Sequence, residues 1–194
     1  MLLENKVAIV TGAGSGIGAA SARRFGVEGA AVIVADIRAH KARETADAII
    51  DAGGLAVSVE VDVADAASVA AMVDAATTRF GGVDVLFNNA GTVRLGTAVE
   101  LSVEDWDLVM GINVRSVFLG AKYAVPAMRL RGGGSIISTA SVSGLHGDGG
   151  GVAYAASKAA VINLTRALST DQPGRASAPT QSVPGRSRPL RCNA

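Results

Sequence analysis

Two side chains that can exchange a proton, Tyr154 and Lys158, stand four positions apart in the segment Tyr-Ala-Ala-Ser-Lys. Residues with this spacing share one face of a helix. A phenol with an ordinary pKa of about 10 is a poor base at neutral pH, and a nearby ammonium favours its ionised form. The pair can therefore exchange a proton with an alcohol or a carbonyl oxygen. The alternative is an exposed helix face, where Lys is common.

Ser141, whose side chain carries a hydroxyl, follows a short β-branched segment that predicts a strand. Ligands of open α/β sheets bind at the carboxyl ends of the strands, so this hydroxyl can hold a substrate oxygen. Ser138, Thr139 and Ser143 are alternatives for the same role, and turn chemistry alone also explains a serine in a loop.

A glycine-rich segment, Thr11–Gly18, joins a predicted strand to a predicted helix with the sequence TGAGSGIG. Glycines allow the tight turn and the close approach of backbone to a pyrophosphate, whose charge lies at the helix N-terminus. Asp36, at the end of the next strand, can accept hydrogen bonds from the ribose hydroxyls of adenosine and would repel a 2′-phosphate. This favours NAD over NADP, although Arg38 lies nearby. A simple tight turn and a helix-capping acid are the alternatives.

The segments that position these residues alternate between strand and helix patterns. Short apolar segments of this kind suit parallel strands that are covered on both faces. The predicted strands are Lys6–Thr11, Ala31–Asp36, Ala56–Val61, Val83–Asn88 and Ser135–Ser138. The predicted helices are Ile17–Glu28, Ala39–Ala52, Asp65–Phe80, Val103–Met128 and Tyr154–Ser169. This alternation predicts an α/β fold with a doubly wound parallel sheet, the Rossmann fold.

The composition gives no support for a nucleic-acid-binding, membrane, disulfide-stabilised or metal-binding protein. The 194 residues carry a net charge of +1, which gives no electrostatic reason to expect nucleic acid as a partner. The sequence shows neither an N-terminal leader pattern nor an apolar segment of membrane-spanning length, so we expect a cytoplasmic protein without a membrane partner. A single cysteine, Cys192, excludes a disulfide framework, and one histidine near the predicted site, His146, does not make a metal site.

The motifs together resemble those of the classical short-chain dehydrogenase/reductase family. They occur in the family's order: TGAGSGIG at Thr11–Gly18, Asp62-Val63 after the third strand, NNAG at Asn88–Gly91, Asn113, Ser141, and YAASK at Tyr154–Lys158. The resemblance extends over about residues 6–171 and implies one NAD(P)-binding Rossmann domain, residues 1–171, that also carries the catalytic residues.

The resemblance implies a role for each matching residue. Tyr154 would be the general acid and base, Lys158 would favour its ionised form and bind the nicotinamide ribose, and Ser141 would orient the reacting oxygen. Asn113 would support a water-linked proton relay. The implied cofactor-binding residues are Gly12, Ser15, Gly16, Ile17, Gly18, Asp36, Asp62, Val63, Asn89, Ala90, Gly91, Tyr154 and Lys158.

The resemblance ends at Gln172, where the composition also changes. The last 22 residues hold four of the five prolines and four Arg without an acid, so they carry +4 while residues 1–172 carry −3. We therefore expect residues 172–194 to be an aberrant, disordered tail and the family's C-terminal strands and substrate lid to be absent. Without that lid over the nicotinamide, we expect little or no turnover by this chain.

A frameshift offers one explanation for the tail. Codons for Arg175–Gly185 can be chosen so that the shifted triplets encode Gly-Ile-Arg, an Asn and a Pro-Gly step, which the family has at this point. We hypothesise a single-base deletion near codon 172, with a natural disordered tail as the alternative. Resequencing that finds in-frame codons and no deletion would exclude the frameshift.

The sequence thus predicts an NAD-dependent oxidoreductase acting between a secondary alcohol and a ketone, with NADP as the less favoured cofactor. The family resemblance also makes a homo-oligomer, a tetramer or a dimer, plausible. The alternative from another class is an inactive nucleotide-binding remnant. A third possibility keeps the fold but changes the reaction to that of a dehydratase or an epimerase.

Overall fold

A parallel sheet occupies the centre of the computed structural model, which describes residues 1–147, 149–170 and 176–182. Its strands are β1 (Val7–Thr11), β2 (Ala31–Asp36), β3 (Leu55–Glu60), β4 (Val85–Asn88), β5 (Gly134–Thr139) and β6 (Ala176–Ser182). The strands lie in the order β3-β2-β1-β4-β5-β6. This is the order of a doubly wound Rossmann sheet, so the predicted fold class is confirmed.

Helices connect the strands and cover both faces of the sheet. They are α1 (Gly16–Val27), α2 (Ala39–Asp51), α3 (Ala66–Phe80), α4 (Val103–Met110), a π-helical turn (Gly111–Arg115), α5 (Ser116–Leu130), α6 (Ser143–His146) and α7 (Val152–Thr170). Parallel neighbours need such crossovers, because a short hairpin can join only antiparallel strands.

Alternate residues of each central strand enter two separate hydrophobic cores. Ile9 and Ile33 lie in the core that α3 and α5 cover, whereas Val10 and Val34 lie in the core that α1 and α2 cover. All four side chains are fully buried. Because both faces are covered, the strands are apolar at nearly every position, which is why short β-branched segments predicted them well.

The strand order reverses at β1, which pairs with β2 on one side and with β4 on the other. The connections that follow β1 and β4 leave in opposite directions and open a crevice beyond the carboxyl ends of these two strands. The glycine-rich segment and the NNAG segment both begin at this crevice.

The segment predicted as one helix, Val103–Met128, is divided in the structure by the π-helical turn Gly111–Arg115. A π-helical turn widens the helix by one residue and is frequent at functional sites. The whole stretch Val103–Leu130 has the length and mean hydropathy of a membrane span, with 44% of the tested window buried inside the molecule. We interpret it as a core helix because α5 covers the sheet.

The structure differs from the expected disordered tail at Ala176–Ser182, which form β6 parallel to β5. The edge of β5 presents unpaired backbone groups, and an extended segment can pair with them whatever its side chains. The register shifts between Ser135 and Ile137, opposite the part of β6 that holds Pro179, which has no N–H to donate. Residues 171–175 and 183–194, the remainder of that tail, lie outside the described residues.

Candidate active site

A cavity of about 800 Å³ lies beyond the carboxyl ends of the strands. Its volume is within the range of small-molecule and cofactor sites. Many of the residues singled out in the sequence line it. They are Gly12, Ser15, Ile17, Asp36, Asp62, Val63, Asn89, Ala90, Gly91, Tyr154 and Lys158. The structure therefore brings together side chains from both halves of the sheet.

The glycine loop forms one wall of the cavity and leads into the N-terminus of α1. Gly12 has φ +61°, in the left-handed region that favours glycine. A Cβ on Gly18 would lie 2.2 Å from the Gly12 carbonyl oxygen, so only glycine allows α1 to pack against the turn. A Cβ on Gly16, in contrast, would have no neighbour within 4 Å in the described part of the chain. Backbone N–H groups at such a helix start can bind a phosphate.

Thr11 joins the glycine loop to the NNAG segment. Its hydroxyl accepts hydrogen bonds from the backbone N–H groups of Asn89 (3.0 Å) and Ala90 (3.1 Å). The Asn89 amide nitrogen donates to the Thr11 carbonyl oxygen at 3.0 Å. These bonds tie the ends of β1 and β4 together across the crevice, a role that the motif order alone did not assign to Thr11.

Asp36 is buried at the opposite end of the cavity, with its side chain only 6% exposed. Its carboxylate accepts hydrogen bonds from the backbone N–H groups of Gly14 (2.9 Å) and Arg38 (3.0 Å). The Arg38 guanidinium approaches the same carboxylate at 3.4 Å and donates to the Ser15 hydroxyl at 3.0 Å. Asp36 thus fixes the glycine loop and presents negative charge to the cavity.

Asp62 and Val63 lie next to this end of the cavity, after β3. The Asp62 carboxylate accepts a hydrogen bond from the Ala64 N–H at 2.9 Å, and the Asp62 N–H donates to the Ser68 hydroxyl at 3.0 Å. Val63 is 8% exposed. These residues place a polar and an apolar group side by side at the cavity wall.

Lys158 lies at the other end of the cavity, almost completely buried on α7. Its ammonium donates to the Thr139 carbonyl oxygen at 2.8 Å and lies 5.6 Å from the centre of the Tyr154 ring. Burial disfavours the charged form and lowers the pKa of Lys158 to about 8. The helical spacing therefore places the two side chains together, as the sequence predicted.

The lowered pKa makes the stability of the protein depend on pH. The unfolded chain binds a proton at Lys158 more tightly than the folded chain, so the free energy of unfolding rises with pH from about 8 to about 10.5. Relative to Lys158→Met, which carries no charge at any pH, we expect wild-type stability to rise by about 2.5 kcal/mol from about pH 7 to about pH 10. Urea unfolding of both proteins across this range measures it. Parallel pH profiles would contradict the expected result.

Ser141 follows β5 and is 9% exposed. Its hydroxyl lies 3.3 Å from the Ser143 hydroxyl and accepts a hydrogen bond from the Ser143 N–H at 3.3 Å. A Cβ on Gly144 would lie 2.6 Å from the backbone of Lys158, so a glycine there lets the loop that carries Ser141 pack directly on α7.

Asn113 lies in the π-helical turn and is 1% exposed. Its Oδ1 accepts a hydrogen bond from the Thr92 N–H at 2.8 Å, and its Nδ2 donates to the Thr92 carbonyl oxygen at 2.9 Å. A Cβ on Gly91 would lie 3.3 Å from Asn113 Oδ1 and 3.6 Å from Lys158 Nζ. The Asn113 amide oxygen and the Lys158 ammonium thus both border the space that a side chain at position 91 would occupy.

The cavity has the chemistry that a dinucleotide requires. It combines a glycine-rich loop at the start of a helix, a carboxylate at one end and a phenol with an ammonium at the other. Sequence reasoning did not assign roles to Thr11, Thr92 or Ser157. Thr11 and Ser157 lie inside motifs that the sequence analysis identified, and Thr92 directly follows one. Their position in or beside these motifs is the sequence signal that could have pointed to them.

Comparisons with known proteins find several matches. The sequence model of the family described as short chain dehydrogenase matches residues 6–175. The chain is 43% identical over 176 residues to meso-2,3-butanediol dehydrogenase of Serratia marcescens, covering 90% of this chain and 68% of that protein. It is 38% identical over 169 residues to cyclohexanol dehydrogenase of an Acinetobacter strain, covering 87% and 67%.

A solved structure shows the same likeness in three dimensions. A short-chain dehydrogenase/reductase from Burkholderia phymatum in complex with NAD superposes with a TM-score of 0.88 at 36% identity, covering 94% of this chain and 66% of that chain. The chain spans 62–73% of the length of curated relatives that it matches.

Proposed function

The chain belongs to the short-chain dehydrogenase family, and on that basis we propose that it catalyses reversible hydride transfer between NAD and a secondary alcohol or ketone. The observation that carries the proposal is that Tyr154 and Lys158 line the same cavity as Asp36 and the glycine loop. Proton-transfer groups and a dinucleotide cradle in one cavity suit an oxidoreductase more than a simple binding protein.

Each group in the proposal has a chemical task. The nicotinamide, when bound, accepts or supplies the hydride. Tyr154 removes the hydroxyl proton as the alcohol is oxidised and returns it when a ketone is reduced. Ser141 donates a hydrogen bond to the reacting oxygen. The Lys158 ammonium has three donors, of which Thr139 takes one, so donors remain for ribose hydroxyls.

The proposal includes NAD rather than NADP as the cofactor. A 2′-phosphate beside the buried Asp36 carboxylate would meet like charge in a setting of low dielectric constant, which is unfavourable. The Arg38 guanidinium reduces that repulsion but is already bonded to Asp36 and Ser15. In this proposal Gly12 and Gly16–Gly18 cradle the pyrophosphate, Asp62 and Val63 contact adenine, and Asn89–Gly91 form the floor under the nicotinamide.

A homo-oligomer of two or four chains, acting in the cytoplasm, is also part of the proposal. Support comes from large apolar side chains that α4 and α5 leave exposed, which favour association with another chain. These side chains are Val103, Trp106, Phe118 and Leu130. Light scattering on the purified chain reports the state of assembly.

Turnover with a panel of secondary alcohols and vicinal diols tests the proposed function. We expect NADH formation, at a rate that requires high enzyme concentration, and a preference of about 100-fold or more for NAD over NADP, equivalent to about 3 kcal/mol. NAD binding by calorimetry without any turnover would instead support the inactive nucleotide-binding remnant. Product analysis distinguishes an oxidoreductase from a dehydratase or an epimerase.

The variant Asp36→Asn tests the role of charge in that preference. Asparagine has nearly the same shape and removes the negative charge, but it keeps only one of the two oxygens that accept hydrogen bonds from the Gly14 and Arg38 N–H groups. We therefore expect the preference for NAD to fall about 10-fold or more in Asp36→Asn, mainly through stronger NADP binding. An unchanged preference would mean that Asp36 does not select the cofactor.

A further inference from the structure

The side-chain amide of Asn113 is completely enclosed by hydrogen bonds. Besides its two bonds with the Thr92 backbone, its Nδ2 donates to the Ser157 hydroxyl at 2.9 Å. Asn113 comes from the π-helical turn and Ser157 from α7, 44 residues apart in the chain. This amide therefore joins three elements: the loop after β4, the π-helical turn and the helix of Tyr154 and Lys158.

Ser157 occupies the middle of this connection and is fully buried. Its hydroxyl accepts from Asn113 and donates to the Tyr154 carbonyl oxygen at 2.7 Å. The hydroxyl therefore both donates and accepts, and the directions are fixed because the amide nitrogen can only donate and the carbonyl oxygen can only accept. Neither the proposed proton transfer nor cofactor binding gives Ser157 a task.

We propose that Ser157 is a positioning residue, which holds the Asn113 amide against the catalytic helix and so fixes Tyr154 and Lys158 relative to the loop under the nicotinamide. The expected effect of Ser157 on the reaction rate rests on the proposed function. Its structural basis is the chain of bonds from Thr92 through Asn113 and Ser157 to the Tyr154 backbone.

Removing the hydroxyl would leave one buried Asn113 N–H without a partner, at a site where solvent cannot replace it. An unpaired buried donor is costly, and the amide would be expected to shift toward another acceptor. Because Asn113 Oδ1 and Lys158 Nζ both lie against Gly91, such a shift would disturb the surroundings of the ammonium. Small displacements of catalytic groups lower rates strongly.

The kinetic test combines Ser157→Ala with Asn113→Ala. We expect Ser157→Ala alone to lower kcat about 10-fold, with KM for NAD changed less than about twofold, because the hydroxyl touches no substrate. In the Asn113→Ala background the same substitution is expected to change kcat less than about twofold, since no amide remains to be held. An equal loss in both backgrounds would overturn the proposal.

A matched control is available on the same helix. Ser169 makes the same kind of bond, from its hydroxyl to the Arg166 carbonyl oxygen at 2.6 Å, but lies on the exposed face. Ser169→Ala therefore removes an equivalent bond to the helix backbone without affecting Asn113. We expect kcat to be unchanged in Ser169→Ala. If Ser169→Ala lowered kcat as much as Ser157→Ala, the effect of Ser157 would be that of any hydroxyl bonded to the helix backbone, and the proposal would be wrong.

A second measurement does not depend on turnover. Hydrogen exchange at the Asn113 side-chain amide, assigned in NMR spectra by its absence in Asn113→Ala, is expected to be at least about 10-fold faster in Ser157→Ala than in wild type or Ser169→Ala. Unchanged exchange would overturn the proposal whatever the kinetics show. If wild type shows no turnover, the proposed function fails, and exchange alone decides whether Ser157 holds Asn113.

Discussion

Replacing Tyr154 with phenylalanine is expected to lower kcat by about 10³-fold, within the range for loss of a general acid and base. The substitution keeps the ring, which lies 5.6 Å from the Lys158 ammonium, and removes only the phenolic oxygen. NAD affinity is expected to change less than about threefold, because in the proposed function the glycine loop and Asp36 would provide most of the dinucleotide contacts. Stopped-flow measurement of NADH formation at high enzyme concentration, beside calorimetry with NAD, measures both quantities.

Tyr123→Phe provides the matched control for this experiment. Tyr123, on α5, is the other tyrosine of the chain and packs against the hydrophobic core instead of lining the cavity. We expect Tyr123→Phe to retain wild-type kcat within about threefold. If Tyr154→Phe kept more than a tenth of wild-type kcat, Tyr154 would not be the proton-transfer group, and Ser141 would become the next candidate.

Gly18→Ala is expected to abolish detectable NAD binding and to lower Tm by about 10 °C, since overpacking costs about 3 kcal/mol in a domain of this size. The added Cβ would lie 2.2 Å from the Gly12 carbonyl oxygen and 2.6 Å from Asn89 Nδ2. A backbone oxygen cannot move away as a flexible side chain can, so the glycine loop must distort. That loop is where we propose the pyrophosphate binds.

Gly149→Ala is the control for the general effect of adding a methyl group. Among the residues that the structure describes, none lies within 4 Å of a Cβ placed on Gly149. We expect NAD affinity and Tm to stay at wild-type values in Gly149→Ala. Calorimetry and thermal unfolding on both variants make the comparison, and wild-type NAD affinity in Gly18→Ala would contradict the geometry of the loop.

The fold could be predicted because its signals are local. The β-branched segments and the glycine loop lie where the sequence placed them, and the parallel sheet has the strand order of a doubly wound fold. Helix α7 begins at Val152 and not at Tyr154, and the strand predicted from Val83 begins at Val85. Such end effects arise because the last turns depend on caps and neighbours rather than on periodicity.

The candidate site could be predicted only in part. The proximity of Tyr154 and Lys158 follows from helical spacing, and the position of Asp36 follows from the end of a strand next to the glycine loop. The burial that lowers the pKa of Lys158, by contrast, depends on the packing of α7 against the rest of the molecule. The π-helical turn that carries Asn113 was also missed, because five residues are fewer than the window over which helical periodicity is recognised.

The sequence by itself determined the class of fold and predicted the dinucleotide cradle and the proton-transfer pair, since each depends on residue type and on spacing within one element. Only the tertiary structure decided which polar groups that are distant in the sequence form hydrogen bonds with each other. Thr11 with Asn89, and Asn113 with Ser157, are separated by 78 and 44 residues and meet because the sheet and its crossovers bring them together. Buried polar groups must find partners, but which partners they find depends on packing, which no local pattern encodes.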